Sequence, residues 1–474
     1  MQLIWFRQDL RTQDHMALWY ARQQGQCLAL YILSPEQWQL HQDASIKIEF
    51  TLQRLEHIQQ QLEALNIPLL FLHVPLWCDI PQHLLHLSQN LNIHCVHSHV
   101  EAGVNELARD EAVAQALSQA NIGFEQYEDR TLFPLGSIRN QSQQPYQVFT
   151  AFKKKCYERL ILDVPSCFAN IEAQAPLEVD CSTYQLDLNA FKSDDQQNTI
   201  SQYWPVNDEA IHTRLQHFIA DQVQYYKAER DIPSLDGTSQ LSPYLNIGAL
   251  SIRQCIQALF QDSNGYFQLN HEGQQTWLDE LLWREFYQHT LYDFPKLSKH
   301  QPFKDSTQNI QWRDAPKDLE AWQQGQTGIP IVDAGMRQLL ATGWMHNRVR
   351  MISAMFLTKN LLVDWRLGEA WFMQHLIDGD LAANNGGWQW CGSTGMDAAP
   401  YFRIFNPINQ SQRFDPNGEY IKTWLPELAH LDAKTIHEPY AKHPNLKLNY
   451  PKQIVDLKSS RARAIEAFKS ANSG

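Results

Sequence analysis

The chain has 474 residues, of which 43% are hydrophobic and 19% charged, and carries a formal net charge of −13. That length holds two or three domains with sizeable cores and excludes a minimal module. The acidic balance excludes a protein whose whole surface is a basic nucleic-acid footprint, while leaving room for a local basic groove.

In chain order, Gln2–Phe6 reads as a buried strand, 14–24 as a helix and Cys27–Leu33 as a second strand. After Ser34 and Pro35, Leu55, Ile58, Leu62 and Leu65 recur at helical spacing. Residues 69–74 read as a third strand, 81–89 as a helix, 92–96 as a fourth strand, 104–120 as a helix and 124–127 as a short fifth strand. Strands and helices alternate, and the strand runs are continuously apolar, which predicts an α/β domain with a doubly wound parallel sheet over residues 1–130. No glycine-rich phosphate loop follows the first strand, so ordinary dinucleotide or P-loop binding is unsupported. Arg7, Asp9, Arg11 and Asp14 read as a polar loop and helix cap.

Residues 131–205 lose clear periodicity and read as a long interdomain connection, strongly hydrophilic from Ser193 to Asn198, in which Phe149, Phe152 and Tyr157 pack against something. From 206 to 474 helical spacing dominates, clearest up to about residue 450, which predicts an all-helical second domain. The eight Cys lie without CxxC pairs or His partners at metal spacing, arguing for a reducing compartment and no structural metal. With no run of ~18 apolar residues and no apolar leader after MQLIWFRQDL, the chain reads as soluble, untargeted and cytoplasmic, with no membrane partner.

Several stretches in the second half pair polar with aromatic residues. Gly237-Thr238-Ser239-Gln240-Leu241-Ser242 is either a phosphate cradle or a helix cap. Trp277, Glu280, Arg284 and Tyr287 share one helical face, with Trp283 beside them; Glu280 and Arg284 are either a surface ion pair or part of a binding face. Asn347 and Met351 lie four apart and face the same way, off the apolar stripe of Met345, Val349, Ile352 and Phe356. Asp378-Gly379-Asp380 precedes Asn384-Asn385-Gly386-Gly387, which breaks helix and strand rules alike and is either a plain turn or a working site. The 15 Trp suggest stacking platforms, against the ordinary reading of packed core residues.

Taken together these strings resemble the photolyase/cryptochrome family, most closely its class I branch that repairs cyclobutane pyrimidine dimers. The matching pieces are WFRQDLRTQDHMAL (5–18), GTSQLSPYL (237–245), WLDELLWREFY (277–287), TGIPIVDAGMRQLLATGWMHNRVRM (327–351), DWRLGEAWFMQHLIDGDLAANNGGWQW (364–390) and DAAPYFRIFNP (397–407). They keep their order and span nearly the whole chain.

The resemblance implies an N-terminal antenna domain and a helical domain holding FAD, active when reduced. Tyr226, Thr238, Ser239, Gln240, Leu241, Ser242, Trp277, Arg348, Asp378, Gly379 and Asp380 would contact FAD, with Asn384 facing flavin N5. An amide there suits repair, whereas an acid would favour signalling. On the DNA side it implies Arg230, Glu280, Trp283, Arg284, Asn347, Arg348, Met351, Trp390 and Gln410, with the lesion flipped out of the duplex. Glu280, Asn347, Met351 and Asn384 would carry the chemistry, Glu280 by hydrogen-bonding the pyrimidine carbonyls. A (6-4) photolyase needs His on the helix where Asn347 and Met351 stand, and His346 is one residue out of phase, which points to cyclobutane dimers. Trp388, Trp365 and Trp312 match the family's electron-transfer chain.

Folate-type members grip methenyltetrahydrofolate with an Asn-Glu pair and a Cys-Lys pair. Asn105, Glu106 and Lys299 match, but Ser298 replaces the Cys, leaving folate expected with a deazaflavin or no antenna as the other outcomes. The expected function is thus light-driven dimer repair by a monomeric lyase acting on damaged DNA. The competing function is a cryptochrome-like photoreceptor, disfavoured by Asn384 and by a chain that stops at Gly474 without a long C-terminal extension.

Overall fold

The computed structural model describes residues 1–192, 194–441, 445 and 447–473; Ser193 and Gly474 lie outside them. The chain packs as two compact units, one built from Met1–Val223 and Ser239–Pro295, the other from Gln224–Thr238 and Lys296–Gly474.

In the first unit, β1 (Gln2–Phe6), β2 (Cys27–Leu33), β3 (Leu69–His73), β4 (Cys95–His99) and β5 (Gly123–Tyr127) form one parallel sheet in the order β3-β2-β1-β4-β5. Helices α1 (Met16–Gln24), α2 (Ser45–Ala64), α3 (Ile80–Asn90) and α4 (Val104–Gln119) make the crossovers. Every position of β1 and β2 is buried, as a sheet covered on both faces requires. The doubly wound expectation holds, with the order reversing between β1 and β4.

β4 begins at Cys95 rather than at residue 92, because Asn92 takes a left-handed conformation (φ 51°) and Ile93 still belongs to the turn. Its buried end is polar (His97, Ser98, His99), so an apolar-run reading stops too early. The loop after β1 differs more. Arg7, Asp9, Arg11 and Asp14 are not a solvated loop but are buried in an ion network. Arg7 pairs with Asp110 at 2.7 Å, Arg11 with Asp129, and Arg253 with both Asp14 and Asp129. The charges are tolerated there because each meets an opposite one. The stretch after β5 also carries a helix, α5 (Phe149–Leu162), whose Phe149 and Phe152 are buried. Among this unit's other helices are α6 (Ile252–Leu259) and α7 (Glu272–Asp293).

The second unit is helical, with α8 (Pro330–Thr342), α9 (Asn347–Met355), α10 (Trp365–Met373), α11 (Leu381–Gly392), α12 (Pro407–Phe414) and α13 (Leu457–Ser473). Val332, Met336, Val349, Ile352, Trp365 and Trp388 belong to its core. The helical spacing that begins at Met345 does not make one helix from that residue. Gly343 ends α8 at φ 70°, and α9 starts only after His346, whose ring accepts the Arg348 N–H at 3.2 Å. Conversely, α11 runs unbroken through Asn384-Asn385-Gly386-Gly387. Asp380 caps it by accepting the Ala383 N–H at 2.8 Å. The Asn385 side chain is bound at 2.8 Å to both Glu369 and Gln389, so it does not compete for the helix backbone. Among the described residues no helix is long and apolar enough to cross a membrane.

Candidate functional site

The predicted residues fall into a group on each unit. In the first unit, α7 presents Glu280, Trp283 and Arg284 half-buried, while Trp277 is buried at 5.2 Å from Phe218. Trp283 stacks on Phe149 with ring centroids 3.7 Å apart and planes 13° from parallel, which fixes the ring. Arg284 donates to the backbone oxygen of Arg130 at 2.8 Å. α7 itself is pinned by Glu285, fully buried, whose carboxylate accepts the Leu132 and Phe133 N–H groups at 3.0 Å each. Sequence spacing gave no sign of Glu285, because its partners are 152 and 153 residues away.

Ser239, Gln240, Leu241 and Ser242 also lie in this unit. The short helix Ser242–Asn246 starts from Leu241, whose side chain makes no cap bond. Gln240 is left-handed (φ 48°), and its amide oxygen accepts from Arg214 at 3.3 Å. Asn105 and Glu106 occupy the first turn of α4. Asn105 contacts His41 at 3.0 Å, and burial raises the Glu106 carboxyl above the ordinary range.

In the second unit, Tyr226 is buried with the Arg230 guanidinium 5.5 Å from its ring centre, and Thr238 is half-buried. Arg348 makes a two-point contact with Asp231 (3.2 and 2.8 Å) and lies 4.5 Å over Phe414. On α9, Asn347 is exposed and Met351 half-buried, the two on one side as spacing predicted. Trp390 and Gln410 are also half-buried, and Gln410 sits on α12. Burial lowers the His346 imidazole to about 4, so this ring is a neutral cap.

Around Asp378-Gly379-Asp380 the structure adds partners that spacing did not reveal. Asp378 is clamped by Arg350, which reaches both carboxylate oxygens at 3.0 and 2.9 Å. Asp380 is the cap of α11. Asn384 donates its amide N–H to the Glu369 backbone oxygen at 3.0 Å, which sets the amide's orientation. One helical turn on, a Cβ placed on Gly387 would meet nothing within 4 Å, so this part of α11 borders open space. Asn385, Trp388, Gln389 and Cys391, by contrast, are buried. The helix therefore offers a bare glycine surface with a fixed amide beside it, the shape a flat ring system requires.

Trp388 and Trp365 are 2% and 1% exposed, and Trp312 is half-buried, edge-on to Phe468 at 5.9 Å. The Trp388 N–H is buried without a hydrogen-bond partner. Gly368 is required beneath this ring, since a Cβ there would collide with it. Ser298 has a buried hydroxyl without a partner, and Lys299 next to it is exposed.

Residues 2–170 match the family described as DNA photolyase, and 277–470 match the FAD binding domain of DNA photolyase. The deoxyribodipyrimidine photo-lyase of Vibrio cholerae is 42% identical over 472 residues, covering 99% of this chain and 100% of that protein. That of Escherichia coli is 41% identical over 476 residues, covering 100% and 99%. Among solved structures, a class III photolyase from Agrobacterium tumefaciens superposes with a TM-score of 0.90 at 32% identity, over 100% of this chain and 98% of that one. A cryptochrome from Synechocystis superposes with a TM-score of 0.88 at 28% identity, over 98% and 99%. The chain belongs to the DNA photolyase family.

Proposed function

We propose that this protein repairs cyclobutane pyrimidine dimers in DNA, as a light-driven lyase that uses FAD. The observation that carries the reading is α11, where a fixed Asn384 amide adjoins the open surface at Gly387 in a chain of this family. Bound in its reduced form, FAD supplies on absorbing blue light the electron that splits the cyclobutane ring, and receives it back.

The chain's own residues bind, orient and stabilise. Asn384 directs its amide at flavin N5, and Asp378, held by Arg350, and Asp380 bind the ring and ribose. Tyr226, Thr238, Ser239, Gln240, Leu241, Ser242, Trp277, Arg348 and Gly379 complete the FAD contacts. Arg230, Arg284, Arg348 and Gln410 engage the DNA, while Trp283 and Trp390 wall the flipped-out lesion and Asn347 and Met351 seat it. Glu280 donates a carboxyl O–H to the pyrimidine carbonyl oxygens where negative charge develops, an electrostatic stabilisation. Trp312, Trp365 and Trp388 would pass electrons inward to a bound flavin; one half-buried ring followed by two buried ones supports that direction.

For the antenna, Asn105, Glu106 and Lys299 bind methenyltetrahydrofolate. The orphaned Ser298 hydroxyl takes the place of the family's Cys and is free to be satisfied by a ligand. The protein acts as a monomer in the cytoplasm.

Lesion recognition is tested by titrating the reduced protein, in the dark, with oligonucleotides with and without one thymine dimer. The dimer strand should bind at least about 10³-fold more tightly. Equal affinities would overturn the reading.

A further inference from the structure

Outside the site already described, β4 and β5 bring three metal-ligating side chains together. Cys95 and His97 are two apart on β4, so they project from one face of the sheet. The parallel register puts His97 opposite Glu125 and Cys95 opposite Gly123. The thiol sulfur, an imidazole nitrogen and a Glu125 carboxylate oxygen all lie within 4.8 Å of one another. The Nδ1 to Oε2 separation is 3.6 Å. Gly123 has no side chain where a Cβ would come within 2.8 Å of the Cys95 sulfur, which leaves the thiol its room. Cys95 and His97 are buried, while Glu125 stands on the exposed edge strand, giving a cation a path in.

Hydrogen bonds orient the imidazole and the carboxylate. Gln2 presents its amide oxygen to His97 Nε2 at 2.9 Å, so Nε2 carries the ring proton and Nδ1 a lone pair. The Tyr127 hydroxyl lies 2.9 Å from that Nδ1 and 2.6 Å from Glu125 Oε2. Gln24 donates an amide N–H to the same Oε2 at 3.1 Å, so the Nδ1 lone pair and the carboxylate face each other with Tyr127 and Gln24 as their donors. A divalent cation would take the place of the Tyr127 proton between them. The Gln2 contact is also the outer-shell bond that orients a histidine ligand.

A second trio, Asp9, His15 and His99, is of another kind. There each imidazole has its other nitrogen occupied by a backbone N–H, from Leu18 and Ala17, so both rings turn an N–H towards Asp9 and neither offers a lone pair to a metal.

We infer that Cys95, His97 and Glu125 form a zinc-type metal site on the edge of the parallel sheet. One sulfur, one nitrogen and one oxygen suit a borderline-soft, four-coordinate ion, with a water in the fourth position. On binding, the Cys95 S–H bond breaks, a sulfur–metal bond forms and one proton leaves to solvent. Because the bound sulfur has given up its proton, the affinity falls as pH falls.

The test is zinc chloride titration of the FAD-loaded protein by calorimetry, repeated with Cys95→Ser, with Glu125→Gln and with Cys78→Ser as a control at an exposed thiol. Because Glu125 is on the surface, Glu125→Gln keeps the test interpretable if Cys95→Ser fails to fold. About one equivalent of zinc should bind to the native protein and to the Cys78 variant, weakened about tenfold or more in the other two, with an unchanged flavin spectrum. Cobalt should give a thiolate charge-transfer band that Cys95→Ser abolishes. No zinc uptake by the native protein, or equal uptake by Cys95→Ser and Glu125→Gln, would overturn the assignment.

Discussion

His346 shows how one side chain can be read two ways in sequence and only one in space. It neighbours Asn347 yet is buried as a neutral cap of α9. Its imidazole is held at about 4, mainly by burial, whereas an unfolded chain takes the proton near 6.5. The folded-state value is depressed, so this contribution is complete above about pH 6.5 and is lost as pH falls towards 4. His346→Asn keeps a capping oxygen and takes up no proton. Its melting temperature should therefore decline less between pH 6.5 and 4 than the native protein's, though not remain flat, because buried His15 is lowered to about 4 as well. Parallel curves would refute this account of His346. Gly368 is the second case. An added methyl there meets the Trp388 ring, so Gly368→Ala should cost about 1–3 kcal/mol in denaturant unfolding and disturb flavin photoreduction. An unchanged midpoint would show that the ring moves aside freely.

At the scale of elements, the sequence reading succeeded where burial is uniform and failed where long-range partners decide. β1 and β2 were legible to the residue because every position is apolar or covered. The end of β4 was not, since its buried histidines look like loop residues until the sheet is assembled. The Asn-Asn-Gly-Gly stretch reads as a break by local propensity. It remains helical because Glu369 and Gln389 take up the Asn385 amide. Asn385→Ala removes a partner from both, leaving buried polar groups unpaired. It should destabilise the protein by about 1–3 kcal/mol, seen as a lower denaturation midpoint. No loss would mean that other packing, not this network, holds α11. The same limit hid Arg350, Asp231 and Glu285, whose partners are 28, 117 and more than 150 residues distant. The candidate site was legible mainly through resemblance, since periodicity alone left each motif with a mundane reading.

For the whole molecule, the net charge of −13 sets how DNA is approached. Sequence-independent attraction to phosphates is confined to local arginines, so binding to undamaged duplex should be weak and steeply salt-dependent. On the proposed reading, recognition then rests on a flipped-out lesion. The tryptophan series makes a separable prediction. Trp365→Phe should abolish light-driven reduction of the oxidised flavin while leaving repair by chemically reduced protein intact. Loss of both would mean that Trp365 serves the fold rather than electron transfer.

The most direct measurement is splitting of a thymine dimer in a short oligonucleotide by the reduced, FAD-loaded protein under blue light, with an identical dark control. Recovery of pyrimidine absorbance in the light alone is the predicted result. No recovery, with FAD bound and fully reduced, would contradict dimer repair and leave a photoreceptor as the reading to pursue.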